Sequence, residues 1–166
     1  MAFISTLHPV SAEDLNKVSK MVQANEQIGL NHLTSLRSFD INGVEINEAW
    51  EDFDNFFKEK DPVKINLGKI FDKAIVSENE NYNVVAPEEV MDNLIMLASY
   101  TPEEIVDTIN YIHSKDETDI FSLEPSKIYT TEDDIDFLIS NYRNLYRCFN
   151  QAKKEGKGII VRITKT

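Results

Sequence analysis

INEAWEDFDNFFKEKDP, residues 46–62, is the stretch on which the fold turns. Five acidic residues sit among four aromatics between Ile46 and Glu59. Two readings compete: carboxylates doing chemistry beside an aromatic wall, or one helix showing its two faces. Ile46, Ala49, Trp50, Phe53, Phe56 and Phe57 recur at the spacing of one helical face. Glu48, Glu51, Asp52, Asn55 and Lys58 take the opposite face. Asn47 is placed to cap the first turn, with Glu48 and Glu51 near the positive end of the dipole. Asp61-Pro62 ends the segment, because a residue before proline avoids the helical region. Burying Trp50 and three phenylalanines contributes roughly 1.5–3 kcal/mol each, so the pattern needs no chemistry to explain it. A core helix outweighs an active-site wall.

Outward from this helix, the chain reads as strand, helices, strand. Ala2 to His8 is short, β-prone and stopped by Pro9. Ser11 caps a helix carrying Leu15, Val18, Met21 and Val22 to about Asn25. Leu30, Leu33 and Leu36 indicate a short helix, ended near Asn42-Gly43. Asn66 to Val76 reads as another amphipathic helix, residues 77–82 as a polar loop, and Asn83-Val84-Val85 as a short strand. Ala86-Pro87-Glu88-Glu89 and Thr101-Pro102-Glu103-Glu104 each place proline and acids in a first helical turn, the second with Thr101 as its cap. Residues 114–128 form a polar loop anchored by Ile120, Phe121 and Leu123, and Ser126 to Tyr129 adds a strand at most. Thr131 caps the clearest helix, whose apolar face runs from Ile135 to Phe149. Gly156 stops it and GIIVRIT, 158–164, closes the chain as a strand. In that strand Ile159, Val161 and Ile163 share one face, and Ile160 and Arg162 the other.

Two terminal strands around a helical middle predict an α+β fold. The expectation is a single compact two-layer domain over residues 1–166, with a small mixed sheet that includes both terminal strands and is covered by several amphipathic helices. The 166 residues, 42% apolar, suffice for one core without staples. Cys148 is the one cysteine, which excludes an internal disulfide. No apolar run approaches membrane-spanning length, and MAFISTLHPV lacks signal-peptide features, so the default expectation is a bacterial cytoplasmic protein.

Charge is lopsided. Acids number 29 and bases 17, a net of −12. Residues 1–137 hold 28 acids and 10 bases, a net of −18, while residues 138–166 hold one acid and seven bases. So negative a field repels phosphate backbones and argues against nucleic-acid binding. It attracts basic protein partners and speeds their arrival. Solubility alone is the plainer explanation.

The order of the segments resembles a known family. Val44-Glu45-Ile46-Asn47-Glu48-Ala49-Trp50, the run from Tyr82 to Glu104 with its two proline-acid turns, and Ile128-Tyr129 ahead of the Asp136-Phe137-Leu138 helix and the terminal strand carry the likeness. They span nearly the whole chain and look like the YfbM-like proteins, the bacterial domain of unknown function 1877. The resemblance implies a compact α+β fold and no established reaction. Family members often place a histidine about four residues after the tryptophan; here Asp54 stands there. A threonine-glycine pair follows their helix, where this chain has Lys58-Glu59.

Motifs for chemistry are sparse. His8, His32 and His113 share no metal-ligand spacing, and no dinucleotide, P-loop, nucleophile-elbow or zincin motif occurs. The expectation is no metal, no cofactor and no catalytic residue. Cys148 beside Phe149 reads as a buried, inert thiol, and Glu132-Asp133-Asp134 as first-turn acids. One constellation remains, on the last helix: Tyr142 with Tyr146 and Arg143 with Arg147, each pair four residues apart and stacked along the axis. Stacked arginines can grip a carboxylate or phosphate. The simpler expectation is that they pair with the protein's own acids. Two functions follow: a noncatalytic interaction module for a basic partner, an immunity or antitoxin-like binder among them, or an enzyme or small-ligand binder with its site at Tyr142, Arg143, Tyr146 and Arg147. The interaction module ranks first.

Overall fold

The computed structural model describes residues 3–24, 30–72, 75–76, 80–116 and 129–165. Its elements run β1 (Phe3–Val10), α1 (Ala12–Gln23), α2 (Leu30–Thr34), β2 (Val44–Asn47), α3 (Trp50–Lys60), a 3-10 turn (Leu67–Lys69), β3 (Ile75–Val76), β4 (Glu80–Val85), α4 (Pro87–Ala98), α5 (Pro102–Asp116), α6 (Glu132–Glu155) and β5 (Gly158–Lys165). The fold is α+β. The sheet expected as mixed is antiparallel in every described pairing, in the order β2-β1-β5-β4-β3. The two terminal strands lie side by side at its centre, Leu7 opposite Val161.

Alternation along the strands divides the core. Leu7, Val85, Ile159, Val161 and Ile163 pack with α3 to α6. Val10, Tyr82 and Ile160 pack with Leu15, Val18, Leu33 and Leu36 on the other face. The expected two layers therefore gain a thin third one. A central β5 that is apolar on both faces requires cover on both.

Trp50, Phe53, Phe56 and Phe57 are buried, as their spacing predicts, and Trp50 Nε1 donates to the Phe3 carbonyl at 2.9 Å. Phe53 meets the Tyr142 ring edge-on, and Phe57 stacks on Phe71. The beginning of the segment departs from expectation. Ile46 is buried from strand β2, and Asn47 caps nothing. Asn47 sits at φ 56, a left-handed turn that asparagine tolerates and that swings the chain from strand into helix. Its amide donates instead to Asn141 of α6 at 3.0 Å.

The described part of residues 66–76 does not form the expected helix. The Asp61 carboxylate accepts from the backbone N–H groups of Ile65, Asn66 and Gly68, winding a tight loop. Asn83 then takes the carbonyls of Lys69 and Ile70, which a helix would need for its own ladder. Three further boundaries move. β4 begins at Glu80 because it pairs with β5 as far as Thr164, which shortens the expected loop. α5 continues to Asp116. β1 runs through Pro9, because β2 pairs only with Ser5 to Leu7 and no neighbour on that side calls for a proline N–H. Ile120, Phe121, Leu123 and residues 126–128 of the expected Ser126–Tyr129 strand lie outside the described residues, and Tyr129 is not in a strand.

Caps at Ser11, Thr101 and Thr131 form as read, each hydroxyl accepting from the N–H three residues on. Gly156 closes α6 at φ 65. Gly43, at φ 57, is pressed against the His8 ring; a Cβ there would stand 2.6 Å from it.

Candidate functional site

The polar face of α3 is tied into the rest of the molecule. Asp52 accepts from His113 Nε2 at 2.7 Å and from the Tyr129 hydroxyl. His113 Nδ1 is buried with no hydrogen-bond partner among the described residues. Burial pushes the Tyr129 phenol far above its ordinary pKa, and the bond to Asp52 and the charges of Asp52, Asp134 and Glu48 push the same way. Asn110 clamps the Tyr129 backbone with two hydrogen bonds. The beginnings of α3 and α6 thus bring Glu48, Asp52 and Asp134 together around one phenol. Positions 52, 113 and 129 are too far apart for local spacing to have shown this cluster.

On the far side of α3 lies a cavity of about 560 Å³, lined by Trp50, Glu51, Asp54, Lys58, Lys64 and Asp72 among others. Lys58 reaches Asp54 at 2.8 Å and Asp72 at 3.6 Å, and Lys64 reaches Asp72 at 3.5 Å. Burial lowers the Lys58 pKa, but the two carboxylates outweigh it and hold the ammonium above its usual range. A lysine so held is no nucleophile at neutral pH. Asp54 Oδ1 is buried with no partner among the described residues.

The residues singled out on α6 divide. Tyr142, Arg143 and Tyr146 line a groove of about 310 Å³ with Leu97, Tyr100 and Ile139; Arg147 does not. Tyr142 is buried and its hydroxyl donates to the Leu97 carbonyl at 2.8 Å, so it offers the groove its ring. The ion pairs expected of Arg143 and Arg147 do not form among the described residues: both are exposed and neither meets an acid. Distance explains it. Apart from Glu155 at its far end, which Lys157 pairs, the acids of α6 lie in its opening turns, and Asp136 is about 10 Å along the axis from Arg143. Glu104, beside the groove, is taken by Lys60 at 3.3 Å.

The other reactive side chains are quiet. Cys148 is buried, its thiol pushed up to about 12 by desolvation. His8 is buried against Phe39, between the Asp40 carbonyl at 2.7 Å and Thr6 Oγ1 at 2.9 Å. Burial lowers its pKa, outweighing the Asp40 carbonyl, with Arg162 acting in the same direction as burial.

Residues 1–162 match the family described as Domain of unknown function (DUF1877). This chain belongs to that family. The solved structure of YfbM from Escherichia coli, a protein of unknown function, matches with a TM-score of 0.64, over 97% of this chain and 99% of that one. At 14% identity the likeness is one of fold. No curated protein matches the chain. For this DUF1877 member, Asp54 stands four residues after the tryptophan and is bound to Lys58. No described helix is long and apolar enough to cross a membrane.

Proposed function

We propose that this protein is a noncatalytic interaction module that docks a basic partner protein on its acidic face. One observation carries this reading: Glu48, Glu132, Asp133 and Asp136, where α3 and α6 begin, are exposed and form no ion pair among the described residues. Uncompensated like charges repel one another, and a basic partner relieves that repulsion. The same field steers the partner in before contact. Phe137 lies beside these acids, 39% exposed, and offers an apolar anchor. Neutralising a basic toxin or effector is one form such a role takes.

The test is affinity capture from the source lysate, with the quadruple variant Glu48→Gln, Glu132→Gln, Asp133→Asn, Asp136→Asn as control. The expected result is a basic protein, identified by mass spectrometry, that is released as salt rises and does not bind the variant. A partner held equally by the variant, binding indifferent to salt, or no partner at all overturns the proposal.

A second reading has its own observation. Arg143, exposed and without an ion pair among the described residues, lines a groove walled by tyrosines, which favours a small-ligand site on α6.

A further inference from the structure

We infer that the groove between α4, α5 and α6 takes a small aromatic monocarboxylate, its ring against Tyr100 and Tyr146 and its carboxylate on Arg143. This rests on the second reading above and names the ligand class.

Three observations lead there. The first is the charge on Arg143. In a chain with 29 acids and 17 bases, a guanidinium meets a carboxylate easily, yet Arg143 meets none among the described residues. A planar fork of donors beside an apolar groove is matched by a carboxylate.

The second is the walls. Leu97, Ile105 and Ile139 are apolar, and Tyr100, Tyr142 and Tyr146 present rings. The Tyr142 hydroxyl is already satisfied by Leu97, and that bond holds the floor in place. Lys60 sits over the Tyr100 ring, 5.8 Å from its centroid, while binding Glu104. The Glu104 carboxylate beside the groove is thereby partly offset, which lowers its repulsion of an anion. Ring faces that are already satisfied and partly desolvated suit an aromatic guest.

The third is size and charge count. A volume of about 310 Å³ lies at the small end of the range for ligand pockets, about 300–1,000 Å³. A single ring with a short acid arm fits that space. Arg147 is off the groove, so one cation faces the ligand. One cation matches a monocarboxylate better than a phosphate dianion.

The experiment titrates 3-phenylpropionate and its neutral amide, 3-phenylpropionamide, into the full chain, read by calorimetry and by ligand NMR. The acid is expected to bind about tenfold tighter than the amide, the difference between a charge-assisted and a neutral hydrogen bond. Arg143→Gln should erase that preference and leave the amide unaffected. Tyr146→Ala should weaken both about tenfold. Arg147→Gln, which removes the same charge one turn away, should change neither.

If acid and amide bind equally, or Arg147→Gln weakens the acid as much as Arg143→Gln, the ligand class is wrong while the groove remains a site. If neither compound binds, the inference and the second reading fall together.

Discussion

Helices α3 and α6 are both amphipathic and both bury their apolar faces in the same core, yet many of their charged side chains differ in fate. In α3, Asp52 holds His113 and Tyr129, Asp54 holds Lys58, and Lys60 holds Glu104. In α6, Arg143 and Arg147 hold nothing among the described residues, and Glu132, Asp133 and Asp136 face solvent. α3 is packed along its flanks by other elements, so its polar residues meet partners there. α6 turns one long side outward, so its charges are available to something outside the molecule. A charged face on a helix therefore says little about function until its neighbours are known.

Breaking the core shared by both helices gives the largest effect. Phe57→Ala should cost about 3–5 kcal/mol by denaturant unfolding. A loss under about 1 kcal/mol would mean the aromatic stripe is not what holds α3.

Next comes the claim that the polar face of α3 is structural. Asp52→Ala removes the partner of the Tyr129 hydroxyl and of His113 Nε2 together, and should cost about 2–3 kcal/mol. Stability within about 0.5 kcal/mol of the parent would make that face merely solvated.

Asp61, just past the end of α3, sharpens the comparison through pH. Burial pushes its carboxyl up, but the N–H groups of Gly68, Asn66 and Ile65 outweigh burial and hold its pKa below the ordinary value. A depressed folded pKa means the stabilisation is complete above the unfolded pKa, about 3.9, and is lost as pH falls through the folded value. Asp61→Asn should thus be less stable by about 1–2 kcal/mol from pH 7 to 5, a gap that narrows below about pH 4. A gap independent of pH would refute the assignment.

Thr131→Ala tests the start of α6 and should cost about 1 kcal/mol, the usual worth of an N-cap hydroxyl. The smallest effect belongs to α6's exposed bases. Arg143→Gln and Arg147→Gln should each shift stability by less than about 0.5 kcal/mol. A larger loss would place them in the fold, against the role argued above.

Much of the local structure was legible. The aromatic stripe of α3, the caps at Ser11, Thr101 and Thr131, the glycine stop at 156 and the two faces of β5 follow from spacing and side-chain chemistry over a few residues. The order of segments was enough to place the chain beside its family. Of the four side chains singled out on α6, Tyr142, Arg143 and Tyr146 line one groove, while Arg147 lies off it and Tyr142 shows only a ring.

Other features depended on contacts distant in sequence. Ile46 fits the helical stripe and is buried, yet it is buried from a strand, because Leu7, Thr6 and Ser5 offer β2 a ladder. Residues 66–76 have helical spacing, but Asp61 and Asn83 occupy the backbone groups a helix would use. Periodicity says which side chains turn away from water, and the sequence alone determined that much. Which backbone partner satisfies each N–H and carbonyl, and which distant carboxylate meets each cation, only the tertiary structure decided, since those partners are brought close by folding rather than by neighbouring positions in the chain.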